Sequence, residues 1–440
     1  MTESAHAKGS TGYRELLVSN RDFRRLWVGQ LISQTGDWFN SVALFTMMLN
    51  LTGKSESVGY ILIIKLLPTF FLGPFAGVVA DRFNRKAIMI LSDVLRGLLV
   101  LGYLFIKSED QVWIVYLLTA LQVAGTSFYE PANSAAIPMI VPRRGLITAN
   151  ALASVSWSVT LSLGAAAGGL VTDALGRDTA FVIDSISFFI SAAFIWFVRI
   201  PRLPARSDLA EKKLSFADMT GLKDMIEGAR YLRSNPSVVI VLLVKSGWGV
   251  GGGVLLLLTI FGKQIFPIGR DGSASIGLLY AARGLGAFLG PVTARLFTGS
   301  SLRTMRRAIT IAFFLSSAFY LMFAHSPYLA VAALCVMGAH AGGSIQWTFS
   351  TTLLQMTAEN RFLGRVFAIE QALVMLVISA STFLTGWGID HAGLSARQMA
   401  TVLGLSFIIP GLMWMIAERK LKAVSEEAEP QTVARTESAD

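Results

Sequence analysis

Charge is scarce in this sequence. Of its 440 residues only 15% are Asp, Glu, Lys or Arg, where a soluble protein carries roughly 25%. Cysteine is scarcer still: Cys335 stands alone in an apolar segment, which excludes an internal disulfide and a thiolate metal cluster and reads as a small buried hydrophobe. Four scattered histidines without an H-E-x-x-H motif argue against a zinc-dependent intramembrane enzyme. "GKS" at 53–55 lacks the leading glycine of a phosphate-binding loop, so no ATP hydrolysis is expected. The opening residues are polar and no short apolar core with a cleavage site follows, so no secretory signal is expected. What abounds is apolar surface: 53% of residues are hydrophobic and the mean hydropathy is +0.57. The class is an all-α polytopic membrane protein, and no enzyme is implied.

Runs of about 20 apolar residues suffice to cross a bilayer. They fall near 25–50, 57–80, 87–106, 111–138, 150–175 and 179–199, and again near 237–265, 273–298, 305–324, 327–355, 365–388 and 398–417. Twelve transmembrane helices in two pseudo-symmetric six-helix bundles are predicted, over 21–200 and 237–418. Residues 1–20 form a cytoplasmic N-terminal segment, and the acidic, polar stretch 419–440 reads as a disordered tail. Between the bundles, 201–236 is too polar to span. There Phe216, Met219, Leu222, Ile226 and Ala229 share one face behind Ser215 as N-cap, which predicts an amphipathic helix on the cytoplasmic surface. Lys and Arg crowd alternate connections, from Arg21, Arg24 and Arg25 through Arg82, Arg85 and Lys86 to Arg419 and Lys420. By the positive-inside rule both termini are cytoplasmic. The formal charge of +10 is thus a topology signal, and no nucleic-acid partner is implied.

Polar side chains inside the spans are costly unless they face protein or water. In the first span Gln30, Gln34, Asp37 and Ser41 recur on one helical face. The fourth repeats the pattern with Thr119, Gln122, Thr126, Glu130 and Asn133, and the tenth with His340, Ser344, Trp347, Thr351 and Gln355. The seventh offers Lys245 and then "GWGVGGG". Helix–helix hydrogen bonding explains any one such stripe. Recurrence at every third helix instead points to a shared aqueous cavity near the midplane, as in transporters built from repeats. Phe128, Tyr129, Trp248 and Trp347 could form its hydrophobic wall, although packing explains any one of them.

One connection is ionic in a patterned way. "GVVADRFNRK", with Gly77, Asp81, Arg82, Arg85 and Lys86, resembles the loop between helices 2 and 3 of the major facilitator superfamily, G-x-x-x-D-[RK]-x-x-[RK]-[RK]. "SQTGDWFN", "YEPANSAAIPMIVP", "ANALASVSW" and "NRFLGRVFAIEQ" are similar to a bacterial branch that includes enterobactin and macrolide efflux proteins. The resemblance covers Arg14 to Arg419 and implies the major facilitator fold. Two departures stand out. "SLGAAAGGL" keeps Gly164, Gly168 and Gly169 of an antiporter packing motif, but Ala165 replaces its proline. The second-half copy of the loop has Gly290, Arg295, Arg303 and Arg306, but Ala294 where an aspartate belongs.

The resemblance implies a secondary exporter in a bacterial inner membrane. It would move a bulky amphiphile of drug, macrolide or siderophore type by alternating access and proton antiport. No cofactor is expected beyond the proton gradient, and the partners expected are membrane lipids and the substrate, with the chain a monomer. Asp37, halfway along the first span, is the first candidate for proton coupling, and Glu130 the second; Glu130 could equally pair with Arg143 or Arg144. The substrate cavity is assigned to Gln30, Gln34, Ser41, Gln122, Thr126, Asn133, Lys245, Trp248, His340, Ser344, Trp347 and Thr351. Lys65, Lys245 and Arg283 either face that cavity or pair with Asp37, Glu130 or Asp184, and Lys65 can snorkel instead. Asp93, Arg96 and Glu370 read as gate charges beside the loop motif. Asp81 would meet the start of helix 11, where a helix macrodipole favours negative charge, with Gly77 allowing the close approach. A lysophospholipid carrier of the same fold, a non-transporting receptor and an uptake symporter remain as alternatives, because fold does not fix function.

Overall fold

The computed structural model describes residues 12–201, 222–298, 301–359 and 361–419. All regular structure among them is helical. Eight helices come first: α1 Tyr13–Ser19, α2 Arg21–Thr52, α3 Ser55–Arg82, α4 Arg85–Leu101, α5 Val112–Ile140, α6 Leu146–Val159, α7 Ala165–Leu175 and α8 Arg177–Trp196. Eight more follow: α9 Leu222–Ser234, α10 Pro236–Gly249, α11 Val254–Ile260, α12 Ser273–Thr298, α13 Leu302–Ala324, α14 Leu329–Thr357, α15 Leu363–Asp390 and α16 Ala396–Ser406. A π-helical turn, Thr160–Gly164, joins α6 to α7 in one span.

Among the described residues eleven stretches, from Ser55–Gly73 to Ala396–Arg419, are long and apolar enough to cross a membrane. The helix expected as the first span, α2, is not one of them. It has 32 residues, about 48 Å at 1.5 Å each, and its polar stripe lowers its hydropathy. The predicted tail after Arg419 and the N-cap and first turns of the amphipathic helix (Ser215, Phe216, Met219) lie outside the described residues.

The chain divides into two compact units: Met1–Gly221 with Leu258–Gly284, and Leu222–Leu257 with Leu285–Asp440. The N-terminal unit is organised by α2 lying against α8. Small residues set that approach: a Cβ on Gly29 would sit 3.2 Å from Phe194 Cβ, and one on Gly36 only 2.1 Å from Ser187 Oγ. Leu26, Met89, Tyr129, Ala132 and Ile195 fill the core beside it. Asn20 caps α2, accepting from Phe23 N–H at 2.9 Å, and donates to Ile140 O at the end of α5 at 2.7 Å. The segment Leu258–Gly284 joins this unit through glycines. A Cβ on Gly277 would lie 2.6 Å from Ala165 O and 2.8 Å from Gly169 Cα, and Gly168 rests on Phe39 Cα.

In the C-terminal unit α13 packs between α14 and α16. Ser316 donates to Ala339 O at 3.0 Å and Ser317 to Gly404 O at 2.8 Å, the hydroxyl-to-carbonyl bonds by which membrane helices associate. The glycine run breaks the seventh span: α10 ends at Gly249 and α11 starts at Val254. Ser381 of α15 braces the gap, donating to Val250 O at 2.6 Å and accepting from Gly253 N–H at 3.0 Å. Broken helices in lipid need such replacement partners. Helix α9 docks on α15 by Gly228 and Tyr231, whose ring stacks on Phe362 at 4.3 Å. Ile226 and Ala229, on the predicted apolar face, are exposed.

Candidate functional site

The polar stripes of α2 and α5 meet inside the N-terminal unit. Asn133 Nδ2 donates to Gln30 Oε1 at 3.4 Å, and Asn40 Nδ2 donates to Gln122 Oε1 at 3.4 Å. Thr160, in the π-helical turn, donates to Gln34 Oε1 at 3.4 Å. Lys65 of α3 is directed inward rather than snorkelling: its Nζ donates to Ser41 Oγ at 2.7 Å. Ser41 in turn donates to Asp37 O at 2.7 Å. The Asp37 carboxylate itself is half-buried and within Coulombic reach of Arg96 and Lys65. Among the described residues it makes no hydrogen bond or ion pair. Glu130 is exposed and likewise forms no ion pair there; the side chain of its possible partner Arg143 lies outside the described residues.

Asp93 and Arg96, expected as gate charges, belong to the core instead. They pair with each other one turn apart on α4, with exposures of 0% and 3%. The Arg96 guanidinium lies between the faces of Phe188 and Tyr129, 4.4 Å and 4.8 Å from their centroids. The physical reason is position: both sit in the middle of α4, where only an internal partner can compensate the charge. Tyr129, expected in a cavity wall, is 2% exposed and covers this cation.

Asp184 of α8, expected only as a possible ion-pair partner for a basic residue, is the centre of a hydrogen-bonded polar cluster. Asp184 is completely buried and accepts from Asn40 Nδ2 at 2.8 Å. Asn40 continues through Gln122 to Tyr103, whose hydroxyl is 2.9 Å from Thr119 Oγ1. The signal was available: Asp184, Ser187 and Ser191 share one face of α8, and Gly29, Gly36 and Asn40 the facing side of α2.

The C-terminal unit holds its own ionic centre. Lys245 Nζ lies 2.6 Å from Glu370 Oε2, both side chains being at most 5% exposed. The ammonium also stands over the rings of Trp347 (4.6 Å) and Phe367 (5.6 Å), and Trp248 meets Trp347 edge to face at 5.6 Å. Glu370 is therefore an internal partner and not a gate charge, because it lies two turns inside α15, opposite Lys245. His340, expected in a cavity stripe, is 6% exposed, its Nδ1 3.0 Å from Tyr320 OH of α13. Ser344 and Thr351 donate to His340 O (3.0 Å) and Trp347 O (2.8 Å) of their own helix.

The loop motif works within its own unit. Asn84 caps α4, accepting from Lys86 N–H at 3.0 Å and Ala87 N–H at 3.3 Å. Arg85 donates to Ala80 O and Ala135 O (3.1 and 3.2 Å), and Lys86 to Trp196 O and Val198 O (2.5 and 2.9 Å). Cations thus sit on the carbonyl ends of α3, α5 and α8, where the helix macrodipole favours them. Arg82 is exposed. The Asp81 side chain, and with it the expected latch, lies outside the described residues. At Gly77 an added Cβ would meet nothing within 4 Å, so the close approach expected there is not made among them. Gly164, Gly168 and Gly169 sit against Trp38, Phe39 and Ser273 with Gly277, at spacings of 2.7 to 3.2 Å from an added Cβ.

Comparison with known proteins bears on this arrangement. The chain is 24% identical over 389 residues to macrolide efflux protein A of Streptococcus pyogenes, covering 85% of this chain and 90% of that one. It is 24% identical to the putative bacilysin exporter BacE of Bacillus subtilis, covering 80% and 85%, and 26% identical to the uncharacterized MFS-type transporter YfiS of the same organism, covering 92% and 95%. In fold it is similar to the nucleoside transporter NupG, with a TM-score of 0.70 at 11% identity over 90% of this chain and 99% of that one. These relatives are transporters, not members of an enzyme family. Residues 26–381 match the Major Facilitator Superfamily, and the chain belongs to that family as a multi-pass membrane transporter.

Proposed function

We propose that this protein is an exporter that moves a bulky amphiphilic small molecule, of drug, macrolide or siderophore type, outward in exchange for protons. It would work in a bacterial cytoplasmic membrane with both termini inside, a reading supported by the distribution of Lys and Arg. The observation that carries the coupling is Asp37: a carboxylate halfway along α2, in a polar stripe, without a hydrogen-bond or ion-pair partner among the described residues but within reach of Lys65 and Arg96. A group of this kind can bind a proton from one side and release it to the other as access alternates. Export is supported by the relatives named for macrolide efflux and bacilysin export.

The test begins with a deletion strain screened against macrolides, peptide antibiotics and siderophores. The compound that best separates it from the parent is then used in proteoliposomes under an imposed pH gradient. Gradient-driven accumulation by the wild type, and only downhill movement by Asp37→Asn, are expected. Transport indifferent to the gradient, or unaltered by the substitution, would remove the coupling assignment.

A further inference from the structure

The hydrogen bonds around Asp184 suit an acid better than an anion. Its Oδ2 accepts from Asn40 Nδ2 at 2.8 Å. Ser187 Oγ donates to the main-chain oxygen of Asp184 at 2.7 Å and reaches Oδ1 only at 3.5 Å, so Oδ1 receives at best a long, shared bond, less than an ionised carboxylate needs. The side chain is 0% exposed, so no solvent compensates a charge there, and buried charges persist only when paired.

Among the described residues no cation is paired with it. The titratable groups that act on Asp184 are Asp37 of α2, Lys65 of α3 and Arg96 of α4, with Tyr103 close by in the turn after α4. Arg96 is taken by Asp93 and Lys65 is bonded to Ser41. Asp37 acts on Asp184 electrostatically, and its chain neighbour Gly36 packs on Asp184, where an added Cβ would lie 2.6 Å from Oδ1.

We propose that Asp184 is a second proton-binding carboxyl of the N-terminal unit, exchanging its proton with Asp37. In the exchange the Oδ1–H bond of Asp184 breaks and an O–H bond forms on an Asp37 oxygen. One carboxylate and one acid exist before and after, so the charge of the pair is unchanged. Asp184 then holds the proton while Asp37 is ionised and free to meet Lys65 or substrate. The exchange rests on the reading of Asp37 as the proton carrier; the protonated state of Asp184 does not.

Infrared difference spectroscopy of the full chain in lipid nanodiscs, across a pH titration without substrate, tests it. Wild type is expected to show the C=O band of a protonated carboxyl at neutral pH. Labelling with [4-13C]aspartate should shift that band, Asp184→Asn should abolish it and Asp37→Asn should keep it. A labelled wild type without the band, or Asp184→Asn with the band intact, overturns the proposal even if efflux is driven by protons. In the proteoliposome assay Asp184→Asn should move substrate downhill only, and full gradient-driven accumulation by it would equally overturn the exchange. If the spectra follow expectation and wild-type efflux ignores the gradient, the exporter reading fails and the exchange falls with it, while the protonated Asp184 stands.

Discussion

Replacing Glu370 by Gln should expose how the C-terminal unit carries its charge. The wild-type Lys245 ammonium is 2.6 Å from Glu370 Oε2, and both side chains are at most 5% exposed. Removing one partner of a buried pair costs about 3–5 kcal/mol, because the other charge stays buried without compensation. The Gln oxygen can still accept from Lys245, which returns about 1–2 kcal/mol. The rings of Trp347 and Phe367 face the ammonium before and after, so they do not enter the difference. A net loss of about 1–4 kcal/mol remains. At about 2–4 °C per kcal/mol for a unit of this size, Tm should fall by roughly 2–16 °C.

Lys245→Met should cost a similar amount, because Glu370 Oε1 already lacks a partner and would be joined by Oε2. The double variant Lys245→Met with Glu370→Met should recover most of the loss, since apolar replacements of buried pairs are often neutral. Thermal unfolding in detergent, followed by tryptophan fluorescence, compares wild type, Lys245→Met, Glu370→Met and the double variant, the four states of the cycle. Transport by the double variant separates two roles. If the pair is structural, transport survives with stability; if Lys245 holds an anionic substrate group, stability recovers and transport does not. Single variants that melt within about 1 °C of wild type, or costs that simply add in the double, would refute the reasoning.

Other consequences are smaller and equally direct. Gly36→Ala forces a Cβ to 2.1 Å from Ser187 Oγ and should destabilise by about 1–3 kcal/mol. Gly77→Ala meets open space and should change Tm by less than the equivalent of about 0.5 kcal/mol; comparable melting of the two would contradict the packing described here. Ser381→Ala leaves Val250 O and Gly253 N–H without the bonds that brace the helix break, at a cost of about 1–3 kcal/mol. Hydrogen exchange at Gly253 should accelerate, and an unaltered rate would show that the brace is dispensable. Lys86→Met removes the donor to Trp196 O and Val198 O and should lower stability by about 1 kcal/mol, read as a Tm shift that high salt reduces in the wild type.

The membrane helices and the stripes of α2 and α5 were legible because lipid makes polar residues conspicuous: Gln30, Gln34 and Asp37 stand out on an apolar background at helical spacing. Asp184 stood out only as a possible ion-pair partner; its polar centre did not, because α8 is not one of the helices related by a period of three. Its partner Asn40 also lies off the stripe, on the side of α2 that Gly29 and Gly36 open to α8. The Lys245–Glu370 pair was hidden for another reason. Its members are 125 residues apart, and spacing along one helix carries no information on what faces it from another. His340 and Tyr129 show the limit of a face assignment: neighbouring positions on a helix differ by about 100°, so a stripe's edge residues can turn to the core.

The two units treat charge differently, and the difference bears on where the proposed proton coupling would reside. In the C-terminal unit the buried Lys245 is matched by Glu370 at contact distance, so that centre is electrically closed: moving a proton onto Glu370 would break the pair. In the N-terminal unit, Asp37, Asp93, Asp184 and the exposed Glu130 act on one another together with two cations, Lys65 and Arg96. Carboxyls in this group outnumber cations, and among the described residues only Asp93 of the four has one in contact. A proton added to such a centre relieves an excess of negative charge and breaks no ion pair. Exchange of protons therefore costs little structure in the first unit and a buried salt bridge in the second, which favours α2 and α8 over α10 and α15 as the place where a proton is taken up and released.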